Sequence, residues 1–137
     1  MLLCALVLGQ QTSEDCRSRV KFENRNQVDP KPLFIRALSG SILDRDRVPI
    51  PQICLGLFTE EGHQLVASTV SDDSGQYRFT PLPRGRYRLI AKVAGFCTAS
   101  VPLRLVGWPR GGLIGKRRIV VHMELPRIDH CSYADFK

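Results

Sequence analysis

Hydrophobic and polar residues alternate with a period of two along most of the chain after residue 33. In the clearest run, Tyr87, Leu89, Ala91 and Val93 point one way and the residues between them point the other. This alternation is typical of half-buried β-strands, and no segment shows the period of a helix. The pattern predicts seven strands, near residues 38–42, 53–58, 65–70, 76–79, 86–93, 98–106 and 118–125.

Turn-forming residues separate these runs, so that the sequence favours an all-β, antiparallel sandwich or barrel over residues 34–125. Residues 10–33 are polar and contain Pro30 and Pro32, which predicts an extended N-terminal arm. Residues 126–137 are expected to form a C-terminal tail.

The first nine residues, Met1–Gly9, form an apolar run that polar residues follow directly. Such a run, ending in a small residue, is typical of a secretory signal peptide and is too short to span a membrane as a helix. The positively charged segment that usually opens such a peptide is missing, which a truncated start would explain. We therefore expect an exported protein that is periplasmic, on the cell surface or secreted. The alternative is a buried first strand or short helix.

The composition is that of one small globular domain, because 43% of the 137 residues are hydrophobic and 24% are charged. It excludes a disordered chain and a multi-span membrane protein. The formal net charge of +7 is uneven, since residues 1–73 carry −2 and residues 74–137 carry +9. A field of this kind attracts an anionic partner. A general preference for arginine would produce the same excess.

Several stretches occur in an order that resembles the carboxypeptidase regulatory-like domain, over about residues 35–106. They are Leu38-x-Gly40-x-Ile42-x-Asp44, then Val48-Pro49-Ile50-Pro51 with the strand after it, then Thr69-x-x-Asp72-x-x-Gly75-x-Tyr77-x-Phe79, and finally Leu82-Pro83-x-Gly85-x-Tyr87-x-Leu89 before Ala94-Gly95-Phe96. The resemblance implies a seven-stranded Greek-key β-sandwich of the transthyretin-like (prealbumin-like) or immunoglobulin-like type. It also implies an accessory module without catalytic residues. The family shares its architecture with starch-binding modules, which suggests carbohydrate binding by analogy.

Without the signal peptide, four of the five cysteines remain: Cys16, Cys54, Cys97 and Cys131. An even number in a small exported domain predicts disulfides, although sequence alone leaves three connectivities open and buried free thiols are the alternative. In sandwiches of the type that the resemblance implies, the second and fifth strands are antiparallel neighbours. This arrangement would bring Cys54 close to Cys97, so we expect the bonds Cys54–Cys97 and Cys16–Cys131.

No group of residues in the sequence matches a catalytic or metal site. His63, His122 and His130 lie outside any zinc-binding motif, and no C-x-x-C spacing occurs. Asp72 and Asp73 lack the further oxygen ligands that calcium needs, so a turn explains them better. The sequence predicts a protein that is not an enzyme and that needs no cofactor or metal.

Two features could bind a ligand. Arg78 is expected to lie across from Arg86 or Arg88 on the outer face of one hairpin, with Lys92 further along. Like charges placed opposite each other cost stability unless an anion lies between them. Trp108, in a Gly/Pro-rich loop, offers a ring on which a sugar can stack. The alternatives are a solvated face of splayed arginines and a Trp that caps the core.

These observations favour an exported module that binds a protein or a cell-envelope glycan. The basic charge of its second half favours an anionic partner. The alternatives are a purely structural or assembly module that docks to a larger partner, and an accessory subunit of a secreted peptidase. The basic run at residues 116–118 is too short to indicate nucleic-acid binding, and export argues against it.

Overall fold

The computed structural model describes residues 13–23, 32–35, 37–106, 118–125 and 132–136. These residues contain one helix, α1 (Ser13–Arg19), and nine strands. The strands are β1 (Leu33–Ile35), β2 (Ser39–Leu43), β3 (Cys54–Thr59), β4 (Leu65–Val70), β5 (Gln76–Arg78), β6 (Gly85–Lys92), β7 (Ala99–Leu105), β8 (Ile119–His122) and β9 (Tyr133–Phe136).

Two sheets pack face to face around one core. The five-stranded sheet has the order β1-β7-β6-β3-β4, and the four-stranded sheet has the order β5-β2-β8-β9. The predicted β-sandwich is therefore confirmed. The described residues form nine strands rather than seven, because the short strands β1 and β9 add to the predicted set. The β1–β7 and β2–β8 pairs are parallel, which corrects the expectation of a fully antiparallel sandwich.

The alternation in β6 directs one set of side chains into the core between the sheets, as the sequence predicts, whereas Arg88 and Ile90 of the other set are buried on the outer face. Tyr87, Leu89 and Ala91 point into the core, and the same core holds Tyr77 and Phe79. Burial of a phenol requires a hydrogen-bond partner, since an unsatisfied buried hydroxyl is costly. The Tyr87 hydroxyl donates to the carbonyl of Pro83 at 2.7 Å, so its polar end is satisfied at the edge of the core.

Gly40 allows a side chain to cross the four-stranded sheet. Tyr77 lies opposite Gly40 on one side and Ile119 lies opposite it on the other. The Tyr77 hydroxyl reaches over β2 and donates to the carbonyl of Ile119 at 3.1 Å. A Cβ atom at residue 40 would overlap that carbonyl oxygen. The absence of a side chain at Gly40 therefore permits a hydrogen bond that joins three strands.

The turn between β4 and β5 has the chemistry that its sequence predicts. Gly75 adopts a φ of +72°, a conformation that favours glycine. The Oδ1 atom of Asp72 accepts the backbone N–H groups of Ser74 and Gln76, each at 2.9 Å. An aspartate that accepts N–H groups ahead of it stabilises a tight turn.

The N-terminal segment contains a helix, which corrects the prediction of an extended arm. Helix α1 is seven residues long, and no helix in the described ranges is long and apolar enough to cross a membrane. It packs on the outer face of the five-stranded sheet, where Cys16 and Val20 join a small apolar cluster with Phe58 and Ile90. This second cluster is separate from the core between the sheets.

The expected disulfide pairing is wrong, because Cys54 is bonded to Cys16. The two Cα atoms are 5.1 Å apart. The sequence argument placed β3 beside β6 correctly, but Cys54 points outward from the sheet, towards α1, and therefore meets Cys16 rather than Cys97. Cys97 is also disulfide-bonded. Cys131 lies outside the described residues.

The region predicted to be a tail contains β9, which extends the four-stranded sheet along β8. Ser132, just before β9, holds the start of this strand in place. Its hydroxyl donates to the carbonyl of Cys97 and accepts the backbone N–H of Glu124 at 2.9 Å. These two bonds tie the start of β9 to both sheets, so this strand is part of the sandwich.

Candidate functional site

Arg88, one of the four predicted cationic ligands, is a buried structural residue. Its side chain is 4% exposed and lies against the carboxylate of Glu60, with Nη2 and Oε1 2.9 Å apart. Its Nε atom also donates to both oxygens of Glu60, at 3.2 Å. A guanidinium that is enclosed and paired in this way has little capacity left for an external anion.

The N-terminal segment encloses Arg88. The guanidinium carbon lies 5.8 Å from the centre of the Phe22 ring, and its Nη1 atom donates to the hydroxyl of Ser100 at 3.2 Å. That hydroxyl in turn donates to the carbonyl of Glu23. Arg88 therefore fastens residues 20–23 to the sheet. It lies on the outer face of β6 as expected, but it is enclosed there and is not open to an external ligand as the sequence predicts.

Arg78 does not face Arg86 or Arg88. It lies in β5, at the edge of the four-stranded sheet, whereas both other arginines lie in β6 of the five-stranded sheet. Residues 76–80 and 86–93 therefore do not form the predicted hairpin. Lys92 is exposed at the end of β6, opposite Cys54. Trp108 lies outside the described residues, so its proposed role as a sugar platform stays a prediction.

Arg86 does have an arginine opposite it, but the partner is Arg104 of β7. Arg104 in turn lies opposite Phe34 of the edge strand β1, and its guanidinium carbon is 5.5 Å from the centre of the Phe34 ring. Phe34 is 43% exposed. We call this row of three side chains, Phe34, Arg104 and Arg86, the arginine face.

The arginine face lies on β1, β7 and β6, whereas α1 packs on β4 and β3 of the same sheet. Neither Arg86 nor Arg104 forms an ion pair with any residue in the described ranges. The nearest acidic residue along the row is Glu60, whose backbone N–H bonds the carbonyl of Arg86 while its carboxylate serves Arg88. Two neighbouring guanidinium groups thus lack an acidic partner in the part of the chain that the structure describes.

The sequence supplied half of this site. Period-two alternation places Arg86 and Arg104 on the outer face of their strands, and Arg86 is among the candidate ligand residues that the sequence indicates. It could not supply the register that puts these two residues opposite each other, because that depends on how β6 and β7 pair. The exposed ring beside them belongs to β1, which lay at the boundary of the predicted arm.

Two solved structures resemble this chain in shape to different degrees. A 5-hydroxyisourate hydrolase from Klebsiella pneumoniae, whose fold is transthyretin-like, matches 78% of this chain and 99% of its own at 19% identity, with a TM-score of 0.51. A 3-chlorocatechol 1,2-dioxygenase from Rhodococcus opacus 1CP matches 99% of this chain and 77% of its own at 8% identity, with a TM-score of 0.41. The first likeness identifies the class of protein as a transthyretin-like β-sandwich.

The sequence identifies a specific family within this fold class. The sequence model of the carboxypeptidase regulatory-like domain matches residues 37–107, which is more than half of the 137 residues. The chain therefore belongs to this family, as its turn and core residues indicated. No curated protein matches the chain.

Proposed function

We propose that this domain is a non-enzymatic binding module that docks an acidic segment of a protein partner on the arginine face. The observation that carries the proposal is the direct cross-strand opposition of Arg86 and Arg104, which have no counter-charge among the described residues. Like charges in this position destabilise a sheet. A carboxylate between them would remove the repulsion and form charge-assisted hydrogen bonds with both guanidinium groups.

The shape and composition of the face favour a protein over a small ligand. Arg86 is exposed, and Phe34 adds exposed apolar area beside it. Arginine and aromatic residues are enriched at the centres of protein interfaces, where they carry much of the binding energy. The contact between Arg104 and Phe34 holds one guanidinium in place before binding, which lowers the entropy cost of association.

The proposed setting is outside the cytoplasm. Disulfide bonds persist in oxidising compartments, and Cys16, Cys54 and Cys97 are all bonded. Together with the apolar run at residues 1–9, this supports export.

Retention on immobilised polyglutamate tests the proposal, with heparin and neutral dextran columns as the glycan arms. We expect retention on polyglutamate at low salt and elution by about 0.3 M salt, since exposed charge interactions are screened at that ionic strength. The double variant Arg86→Ala/Arg104→Ala should not be retained. The double variant Arg45→Ala/Lys92→Ala removes the same charge from exposed positions elsewhere and should behave as wild type. Stronger retention on heparin than on polyglutamate would favour a glycan ligand. An equal loss of retention in the two double variants would mean that net charge alone causes the binding.

A further inference from the structure

A second cationic site lies where the edge strands of the two sheets meet, away from the arginine face. A groove of about 510 Å³ is lined by residues of β5, β2 and the end of β4, together with Arg118 before β8. Its lining is mainly polar and includes Ser39, Thr69, Asp72, Gln76, Arg78 and Arg118. We call it the edge groove. Since it shares no residue with the arginine face, its properties do not depend on the function proposed above.

The floor of the edge groove is a cross-strand row of Arg118, Ser39 and Arg78. Ser39 lies directly opposite Arg78. On its other side, Gly40 lies opposite Ile119, so Arg118, the residue before Ile119, comes beside Ser39. Neighbouring strands are about 4.8 Å apart, which places the two arginine backbones roughly 10 Å apart with a serine between them. Two long side chains at this spacing can converge on one anion above the hydroxyl.

Arg118 is held in position. One of its Nη2 hydrogens is donated to the carbonyl of Gly40 at 3.3 Å, and its charge is close enough to Tyr77 to act on that phenol. The remaining guanidinium hydrogens have no partner among the described residues and can bond a ligand. Arg78, by contrast, is exposed at the edge of the sheet and is free to close over a ligand from the opposite side.

The other polar groups of the groove are unused in the described part of the chain. The side chains of Ser39, Thr69, Gln76 and Arg78 form no hydrogen bond with any described residue. Asp72 uses Oδ1 for the turn, which leaves its second carboxylate oxygen as an acceptor. The groove thus presents two cationic donors at one end, and neutral donors and acceptors with one carboxylate along its wall.

We propose that the edge groove binds a sugar acid, such as a uronate unit of an acidic saccharide. The carboxylate lies between Arg78 and Arg118 above Ser39, where it receives charge-assisted hydrogen bonds. The sugar hydroxyls bond Thr69, Gln76 and the free oxygen of Asp72, each of which suits a group that both donates and accepts. A sulfate or phosphate alone leaves these wall groups unused, and Asp72 repels its additional negative charge.

Amide-resolved NMR titration of the oxidised protein tests this assignment, with D-glucuronate as the probe. The matched probes are D-glucose, which lacks the carboxylate, inorganic sulfate, which lacks the hydroxyls, and glycine, which pairs a carboxylate with an ammonium group. We expect glucuronate to shift the amides of Gln76 and Arg78 with saturation in the millimolar range, typical of a single sugar unit with few contacts. The other three probes should bind at least about fivefold more weakly.

Three variants localise the effect. Arg78→Gln should weaken glucuronate binding about tenfold, because it removes a charge-assisted bond. Ser39→Ala should weaken it about threefold, because it removes a neutral bond. Arg86→Gln, in the other sheet, should leave it unchanged.

Four results would overturn the proposal. These are no saturable shift with glucuronate, equal binding of glucose, equal binding of sulfate or glycine, and binding that Arg78→Gln leaves intact. Each of them leaves the polyglutamate experiment on the arginine face unaffected.

Discussion

Cys16 and Cys54 are joined by a disulfide that closes a loop of 38 residues and fixes helix α1 on the outer face of the five-stranded sheet. Both cysteines are buried, and the bond lies within the apolar cluster of Val20, Phe58 and Ile90. The bond therefore holds α1 over β3 and β4, apart from the strands that carry the arginine face.

Loss of this bond should cost stability. In the chain-entropy model, a cross-link over a loop of this length contributes about 3 to 4 kcal/mol to the free energy of unfolding. Chemical denaturation of Cys16→Ser/Cys54→Ser should therefore give a free energy lower by that amount. A loss below about 1 kcal/mol would mean that α1 is held by packing alone.

Peptide mapping under non-reducing conditions checks the connectivity itself. It should recover a peptide that contains both Cys16 and Cys54. Since Ser132 bonds the carbonyl of Cys97, we expect Cys131 to be found in the peptide bonded to Cys97. A Cys54–Cys97 peptide would contradict the observed pairing.

Arg88 should matter for stability and not for binding. Arg88→Ala removes a buried partner of Glu60 together with its contact with Phe22. Breaking a buried pair costs about 3 to 5 kcal/mol, and because Glu60 is 29% exposed we expect roughly 1 to 3 kcal/mol. Arg86→Ala, two residues away on the same face, serves as the matched control and should change the free energy of unfolding by less than about 0.5 kcal/mol. Equal effects of the two substitutions would contradict the different environments described for them.

Alanine substitutions at two glycines should distinguish the cost of a steric clash from the cost of an unfavourable backbone conformation. Gly40→Ala would drive a methyl group into the carbonyl of Ile119, so we expect a loss of more than about 3 kcal/mol, or no folded protein. Gly95 has a φ of +91°, but no residue other than its chain neighbours lies within 4 Å of the position that a methyl group would take. Gly95→Ala should therefore cost about 1 kcal/mol of backbone strain. Thermal unfolding of the two variants should rank them in this order. The reverse order would show that the packing around Gly40 yields easily.

Stability should also fall at alkaline pH because of Tyr77. Burial raises the pKa of this phenol well above its ordinary value of 10.0, and the charge of Arg118 offsets that shift only in part. The folded state therefore holds the Tyr77 proton more tightly than the unfolded state. The contribution of Tyr77 to the free energy of unfolding is complete below about pH 10. It decreases as the pH rises towards the higher pKa of the folded state. Denaturant unfolding between about pH 8 and 11 should show a steeper loss for wild type than for Tyr77→Phe. Parallel pH curves for the two proteins would mean that folding does not raise the pKa of Tyr77.

The alternation pattern predicted the sandwich because half-buried strands leave a period of two in the sequence, as β6 and β7 show. It missed β1 and β9 because they lie at the predicted N-terminal arm and in the predicted C-terminal tail, outside the alternating segments. Parallel pairing and the β6–β7 register depend on contacts between distant segments. The burial of Arg88 follows from the return of residues 20–23 onto the sheet, which no local pattern indicates.

The affinity of a glutamate-rich peptide for wild type, Arg86→Ala, Arg104→Ala and the double variant tests the central claim most directly. If one carboxylate bridges both guanidinium groups, each single variant should weaken binding about tenfold, and the double variant should lose less than the product of the two effects. The binding of wild type should also weaken with salt. Unchanged affinity in both single variants, or an equal loss in Arg45→Ala/Lys92→Ala, would contradict the assignment of the arginine face as the docking site.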